Sequence, residues 1–288
     1  EDITNSPDSK LGWVPKQGIH KFKPWAKEGK ETFLTINSDK SRFNGNKDKG
    51  FDKIIFVGGS ITQGWAVSDD ETFPYLLQEK TFKHKIYNFG VGGYGGYQSL
   101  LTLERIFKNK KNIKLVVYGF IPHHEVRNVA SGSWLYLLNT VSERGLVSLP
   151  FGSINKKNKL IRHDPIISLK LPLGDKLALV AKIEKRFMKI MSSSRERKQT
   201  QISLAIINEM KKLAVDNKSE FILLILDKFT DEREDKYKVF LDENKISYVE
   251  CIMPQGKKYM VPGEGHPNEI SHAEISECVF EKLKLRGF

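Results

Sequence analysis

From residue 51 onward the chain alternates short apolar runs with amphipathic helical stretches, and this rhythm narrows the choice of fold more than anything else in the sequence. The runs Lys53–Val57, Lys85–Phe89, Leu115–Phe120, Glu220–Leu226 and Ile246–Ile252 read as strands, the first of them apolar enough to be buried on both faces. Helical patterns cover Glu71–Lys80, Tyr97–Lys108, Arg197–Asp216, Asp231–Asn244 and Ser271–Lys284. Strands separated by helices pair in parallel and are covered on both faces. The expected fold class is α/β, a three-layer α/β/α sandwich around a five-stranded parallel sheet of flavodoxin-like type.

The turn after the first strand carries a candidate nucleophile. In Phe51–Gly64, FDKIIFVGGSITQG, the run Ile54-Ile55-Phe56-Val57 ends in Gly58-Gly59, and Ser60 follows at once. Glycines admit a turn that residues with a Cβ resist. A serine set there, just past a strand's carboxyl end, has its hydroxyl held out of the sheet beside backbone N–H groups, which is what a nucleophile and its oxyanion hole require. Ligands of parallel sheets bind at that same edge. Two other motifs fail on these residues. The G-x-S-x-G elbow has Thr62 where its last glycine belongs, and a phosphate loop cannot have Trp65 directly after Gly64. A glycine-rich connection with an ordinary serine is the plain alternative.

Two regions break the rhythm. Residues 1–50 hold Gly12–Lys16 and Thr32–Asn37, alternating apolar and polar, and are expected as a β-rich extension packed on a core domain spanning 51–288. Within that domain, 129–196 is expected to be a mainly helical insertion forming a lid or substrate wall. It contains the cluster Trp134–Leu138 and a basic amphipathic run from Lys176 to Met191. There Val180, Ile183, Phe187 and Ile190 share one helical face, with Lys182, Lys185, Arg186 and Lys189 around the other. The formal net charge is +12, and between Lys156 and Lys198 thirteen Lys and Arg stand against four Asp and Glu, so most of the excess is local. Such a helix docks on its own domain, or meets a membrane surface or an anionic partner. Nucleic acid is set aside: no recognition motif is present and the charge is not interleaved with stacking aromatics. No stretch approaches the roughly 18 consecutive apolar residues of a membrane span. Cys251 and Cys278 match no metal or redox spacing and leave the question of a disulfide open.

Three further blocks follow later strands. After the second stands Tyr87-Asn88-Phe89-Gly90-Val91-Gly92-Gly93-Tyr94-Gly95-Gly96. Its G-x-G-x-x-G spelling is no nucleotide site, because it follows the second core strand and the next strand ends in Tyr118-Gly119 where an acidic ribose ligand is wanted. No cofactor is therefore expected. After the third strand comes Gly119-Phe120-Ile121-Pro122-His123-His124-Glu125-Val126-Arg127-Asn128. No metal is expected from His123, His124 and Glu125, since adjacent residues rarely point at one ion. Before the last helix stands Pro262-Gly263-Glu264-Gly265-His266-Pro267-Asn268, which places a histidine at the same sheet edge as Ser60.

Taken in order, these four blocks resemble those of the SGNH, or GDSL-like, hydrolases, and especially a divergent bacterial branch with an H-x-x-R-N run after the third strand. The resemblance covers residues 51–128 and 198–288. It implies Ser60 as nucleophile, His266 as base, and the backbone N–H groups of Ser60 and Gly93 as oxyanion donors. Two departures matter. Gly263 occupies the place of the family's aspartate in D-x-x-H, so Glu264 is the candidate acid, with a Ser–His dyad as the alternative. No asparagine stands at the G-x-N-D offset, which leaves Asn128 as a candidate third donor and His124, Arg127, Tyr94 and Trp134 as candidate substrate-binding residues. The implied activity is that of a serine esterase forming an acyl-serine intermediate, on small acyl (acetyl) esters of a carbohydrate. The same Ser–His pair would serve an O-acyltransferase acting on a surface polysaccharide, and a decayed site would leave a glycan-binding module. Expected partners are a small acyl ester or glycan substrate, anionic if the basic insertion meets it, and a membrane surface through that insertion. The family's habit, together with a chain opening on Glu1, points to an extracytoplasmic setting, periplasmic or secreted.

Overall fold

A computed structural model describes residues 4–23, 30–45, 52–81, 83–142, 147–167, 170–174 and 176–288. Glu1 and Phe51 lie outside them, as do parts of the N-terminal extension and the insertion.

The extension begins with two antiparallel hairpins, β1 (Asn5–Asp8) with β2 (Gly12–Pro15) and β3 (Gly18–Phe22) with β4 (Thr32–Ile36). The core follows as β5 (Asp52–Gly58), α1 (Ser60–Gln63), α2 (Phe73–Lys80), β6 (His84–Gly90), α3 (Gly96–Asn109), β7 (Ile113–Phe120) and α4 (His124–Asn128). The insertion adds α5 (Gly132–Val141), a hairpin of β8 (Ser148–Ile154) and β9 (Leu160–Ile167), and α6 (Ala178–Glu196). It is mainly helical, but the hairpin falls where the sequence suggested only turns. The core closes with α7 (Gln199–Asp216), β10 (Glu220–Ile225), α8 (Arg233–Glu243), β11 (Ser247–Glu250) and α9 (Glu269–Lys284).

Five strands pair in parallel in the order β11-β10-β7-β5-β6, with Ile54 opposite both Ile86 and Leu115. Alternate side chains of β5 go to opposite faces. Ile55 and Val57 join the layer made by α3, α7 and α8, where Leu100, Leu103, Ile206 and Tyr237 are buried. Ile54 and Phe56 join the layer of α2 and α9, with Phe73, Leu77, Ile275 and Val279. Each side chain so buried contributes about 1.5–3 kcal/mol, and burial on both faces explains why the strands read as uninterrupted apolar runs. The architecture is the three-layer sandwich expected from the rhythm.

This topology places one helix of each layer after β5 and β6 respectively, so the connection leaving β5 lies at a switch in winding, over the carboxyl edge of the sheet. On the far side of the chain, Cys251 and Cys278 form a disulfide joining the end of β11 to α9, a pairing the sequence had left undecided.

Candidate active site

Ser60 is the first residue of the single turn α1, entered directly from Gly58-Gly59. The approach is tight. A Cβ on Gly59 would lie 2.7 Å from His124 Nε2, 3.0 Å from Arg127 Nη1 and 3.1 Å from the Tyr94 carbonyl oxygen, so only glycine fits beneath the serine. The turn ends at Gly64 in the left-handed region, φ +79°, whose N–H returns to the Ser60 carbonyl at 2.8 Å.

Arg42 secures the end of that turn. Its fully buried guanidinium donates to the carbonyls of Gln63 (2.9 Å), Gly64 (2.6 Å), Val67 (2.8 Å) and Phe33 (3.0 Å), and pairs with Asp69 at 2.8 Å. Burial lowers its pKa, opposed by the Asp69 charge. The extension thus helps to position the nucleophile, a role that sequence reasoning missed because Arg42 belongs to no motif.

The loop after β6 is laced to the same turn. Asn88 Nδ2 donates to the Thr62 carbonyl at 2.9 Å, and the Gln63 side-chain oxygen accepts from Gly92 N–H at 2.8 Å. Gly93 follows with φ +82°, and its N–H and that of Ser60 have no hydrogen-bond partner among the described residues. Trp13 and Trp134 close on Gly93: a Cβ there would sit 2.9 Å from a Trp13 ring carbon and 3.7 Å from one of Trp134. Trp13 was read only as part of a strand; its indole N–H donates to the Gly92 carbonyl at 3.1 Å and makes it part of the site.

His266 reaches Ser60 from the other end of the chain. Residues 259–268 close into a compact loop through Val261 N–H to the His266 carbonyl (2.8 Å) and Asn268 N–H to the Tyr259 carbonyl (2.9 Å). Asn268 then caps α9, its side-chain oxygen accepting from Ser271 N–H at 3.2 Å. The start of α9 is joined to the start of α2 where His272 Nδ1 accepts the Phe73 N–H at 3.2 Å. Because α2 is the next α-helix after the serine turn, this joint helps to bring residues 60 and 266 together. The Ser60 hydroxyl donates to His266 Nε2 at 2.8 Å, and His266 Nδ1–H donates to Glu264 Oε1 at 2.5 Å. Glu264 Oε2 also accepts the His266 backbone N–H at 2.8 Å. Burial raises the Glu264 carboxyl, but its hydrogen bonds and electrostatic attraction to His266 outweigh it and hold the group below its ordinary value.

Four other candidates are corrected by their surroundings. Asn128 cannot serve as an oxyanion donor: its oxygen accepts Tyr97 N–H at 3.0 Å and its amide donates to Ser203 at 2.8 Å, deep in the α3–α7 layer. Tyr94 is buried, its hydroxyl donating to the Trp13 carbonyl, so it braces the β1–β2 hairpin and is closed to substrate. His124 is buried under the serine turn with Nδ1 hydrogen-bonded to the Tyr118 hydroxyl at 2.8 Å. Burial, with Arg127 and His123 adding to it, keeps its imidazole neutral. Arg127 is buried as well, donating to the Tyr94 carbonyl at 2.9 Å while its guanidinium lies 4.5 Å from the centre of the Trp134 ring. Burial pulls its pKa down to about 10, and no carboxylate pairs with it among the described residues. Trp134 does reach the site, but as a largely buried wall beside Gly93 whose face is taken by Arg127. Glu125 turns away to Arg233 (2.7 Å) and Tyr237 (2.9 Å).

No protein-family model matches the chain, and no curated protein matches it. Solved structures do. A lipolytic protein of the G-D-S-L family from Veillonella parvula is similar at TM-score 0.46 and 11% identity, over 81% of this chain and 98% of that one. A putative lipolytic protein of the same family from Desulfitobacterium hafniense is similar at TM-score 0.42 and 10% identity, over 80% and 98%. An acetyl xylan esterase from the rumen bacterium Butyrivibrio proteoclasticus is similar at TM-score 0.45 and 12% identity, over 90% of this chain and 67% of that one.

Proposed function

We propose that this protein is a serine esterase acting through an acyl-serine intermediate. The observation that carries the reading is the unbroken hydrogen-bonded line from the Ser60 hydroxyl through His266 to the buried Glu264 carboxylate. In this reading Glu264 holds the Nδ1–H tautomer, leaving the Nε2 lone pair to accept the serine proton. Ser60 Oγ then bonds to the ester carbonyl carbon, and the carbonyl oxygen, now negative, takes hydrogen bonds from the free N–H groups of Ser60 and Gly93. As the tetrahedral species collapses, His266 returns its proton to the departing alcohol. Water, deprotonated by the same histidine, attacks the acyl-serine and releases the acid. If a sugar hydroxyl replaces the water, the identical steps transfer the acyl group instead.

A small acyl group such as acetyl is the proposed acyl part, with Trp13 and Trp134 standing as walls beside Gly93. A carbohydrate ester remains the proposed substrate class, and the Cys251–Cys278 disulfide supports an oxidising, extracytoplasmic setting. Replacement Ser60→Ala is expected to reduce p-nitrophenyl acetate hydrolysis by about ten-thousand-fold or more and to abolish labelling by a fluorophosphonate, with the thermal midpoint preserved. Undiminished turnover in that variant overturns the reading. A wild-type protein that never labels would leave a binding module.

A further inference from the structure

Helix α6 is amphipathic in sequence yet docks by a mixed face and not by its apolar one. Glu184, Met188 and Ser192, spaced four apart, are turned inward and buried. Glu184 accepts the Leu171 N–H at 3.3 Å, and Ser192 Oγ accepts the Gly132 N–H at 2.9 Å while donating to Glu196 at 2.6 Å. Arg195 donates to the Val129 carbonyl at 2.9 Å and that of Ala130 at 3.2 Å. The crossing is close, since a Cβ on Gly132 would lie 2.6 Å from the Met188 carbonyl carbon.

The apolar face is left outside. Leu179, Ile183, Phe187, Ile190 and Met191 are between 48% and 70% exposed. At 3.6 residues per turn they occupy an arc of roughly 120°. Lys182, Arg186 and Lys189 occupy the arc beside it, and none of the three has an acidic partner among the described residues. A helix that merely walls its own domain turns such a face inward, because apolar area left in water forgoes about 25 cal/mol per Å².

We infer that α6 is an interfacial helix that docks the protein on an anionic phospholipid bilayer. The apolar arc sinks to the boundary between headgroups and acyl chains, while the neighbouring lysine and arginine stems reach up to lipid phosphates. Charge selects this occupant over others. A second copy of the chain would set the same cationic row against itself, and a soluble polyanion would leave the apolar arc in water. The acidic residues of α6, Glu184 and Glu196, both face the protein and do not oppose an anionic plane. This inference stands whether or not Ser60 is catalytic.

The test is flotation of the full chain with vesicles of phosphatidylcholine alone or with about one-third phosphatidylglycerol. The protein is expected to float with the anionic vesicles only, and added salt should weaken it. Ile183→Asp with Phe187→Asp should lower partitioning by about tenfold or more, and Lys182→Gln, Arg186→Gln and Lys189→Gln together by about tenfold. Both sets should keep the wild-type thermal midpoint and p-nitrophenyl acetate hydrolysis. Should either set unfold the protein, Phe187→Trp serves instead, its emission shifting to the blue on anionic vesicles. No flotation, no emission shift, or flotation that the aspartates leave intact overturns the inference. So does a dimer in light scattering that Phe187→Asp dissolves, which would make a second copy the occupant.

Discussion

Glu264 is held by two donors from a single residue, the ring and the backbone N–H of His266. That bidentate grip lets a carboxylate only two positions upstream orient an imidazole, where the resembled family spaces the pair by three. Held below the ordinary carboxyl range, Glu264 is ionised at neutrality and can stabilise the imidazolium that forms as Ser60 attacks. Glu264→Gln is therefore expected to lower kcat for p-nitrophenyl acetate by about 10²–10⁴-fold with KM little changed, and to slow fluorophosphonate labelling in proportion. Unaltered kcat would mean that Ser60 and His266 act as a dyad. The same scale shows why some side chains could not be placed from sequence. His124 and Asn128 are four apart on α4, so they share a helical face. Packing across the layer turns that face inward, Asn128 to Tyr97 of α3 and Ser203 of α7 and His124 to Tyr118 of β7, a choice which no offset from a strand end encodes. Ser60 and His266, by contrast, sit on connections at the sheet's carboxyl edge, where the order of strands and helices alone locates them.

At the scale of elements, the β1–β2 hairpin matters because it brings Trp13 to Gly93. It is pinned by the bidentate pair of Arg105 on α3 with Asp8, both bonds 2.8 Å, and by Gln98 donating to the Leu11 carbonyl at 2.8 Å. Hydrogen bonds from Arg105, partly offset by burial, lower the Asp8 pKa from 3.8 to about 2. The folded value lies below the unfolded one, so the pair stabilises fully above the unfolded pKa and loses its effect as pH falls through about 2. The pair is partly open to solvent, which reduces its worth to about 1 kcal/mol. Asp8→Asn should therefore lower stability by about that amount in urea titrations at pH 7, and the deficit should shrink as pH falls below 3.8. A deficit unchanged at low pH would remove the ion pair as its cause. The core strands and helices were legible to within about two residues, because burial on both faces leaves apolar runs that periodicity detects. The β8–β9 hairpin was not. Its strands mix Pro150, Gly152, Arg162, His163 and Asp164, and it is set by tertiary packing: Gly152 fits against Ile202 and Ile206 of α7, and Phe151 stacks on His163 at 4.4 Å.

Across the whole molecule, neutral imidazoles are built into both helical layers. His272 lies in the α2–α9 seam, stacked on Phe73, and burial, with Arg42 and His266 pushing the same way, lowers its pKa to about 3. His123 is lowered to about 4 by burial and by Arg127, and His124 is held well below its ordinary value under the serine turn. In the unfolded chain each titrates near its ordinary 6.5. Folded values below unfolded ones mean that the unfolded chain takes up protons first, so this stability is complete above 6.5 and declines as pH falls. At pH 5 the loss is about 2 kcal/mol for His272 alone, a large part of the roughly 5–15 kcal/mol that a domain commands. The depressed carboxyls of Glu264 and Asp8 titrate only below their ordinary values of 4.5 and 3.8, so those two do not cause a fall between 6.5 and 5. Urea midpoints are accordingly expected to fall between pH 7 and pH 5. His272→Leu should shrink that fall by about 2 kcal/mol, while costing stability at pH 7 because Phe73 N–H loses its acceptor. A profile equally steep with and without His272 would assign the acid sensitivity to other groups. Since the same seam sets His266 against Ser60, p-nitrophenyl acetate hydrolysis in the wild type should be lost at lower urea as pH falls from 7 to 5, and the leucine variant should lose less of its urea tolerance over that range.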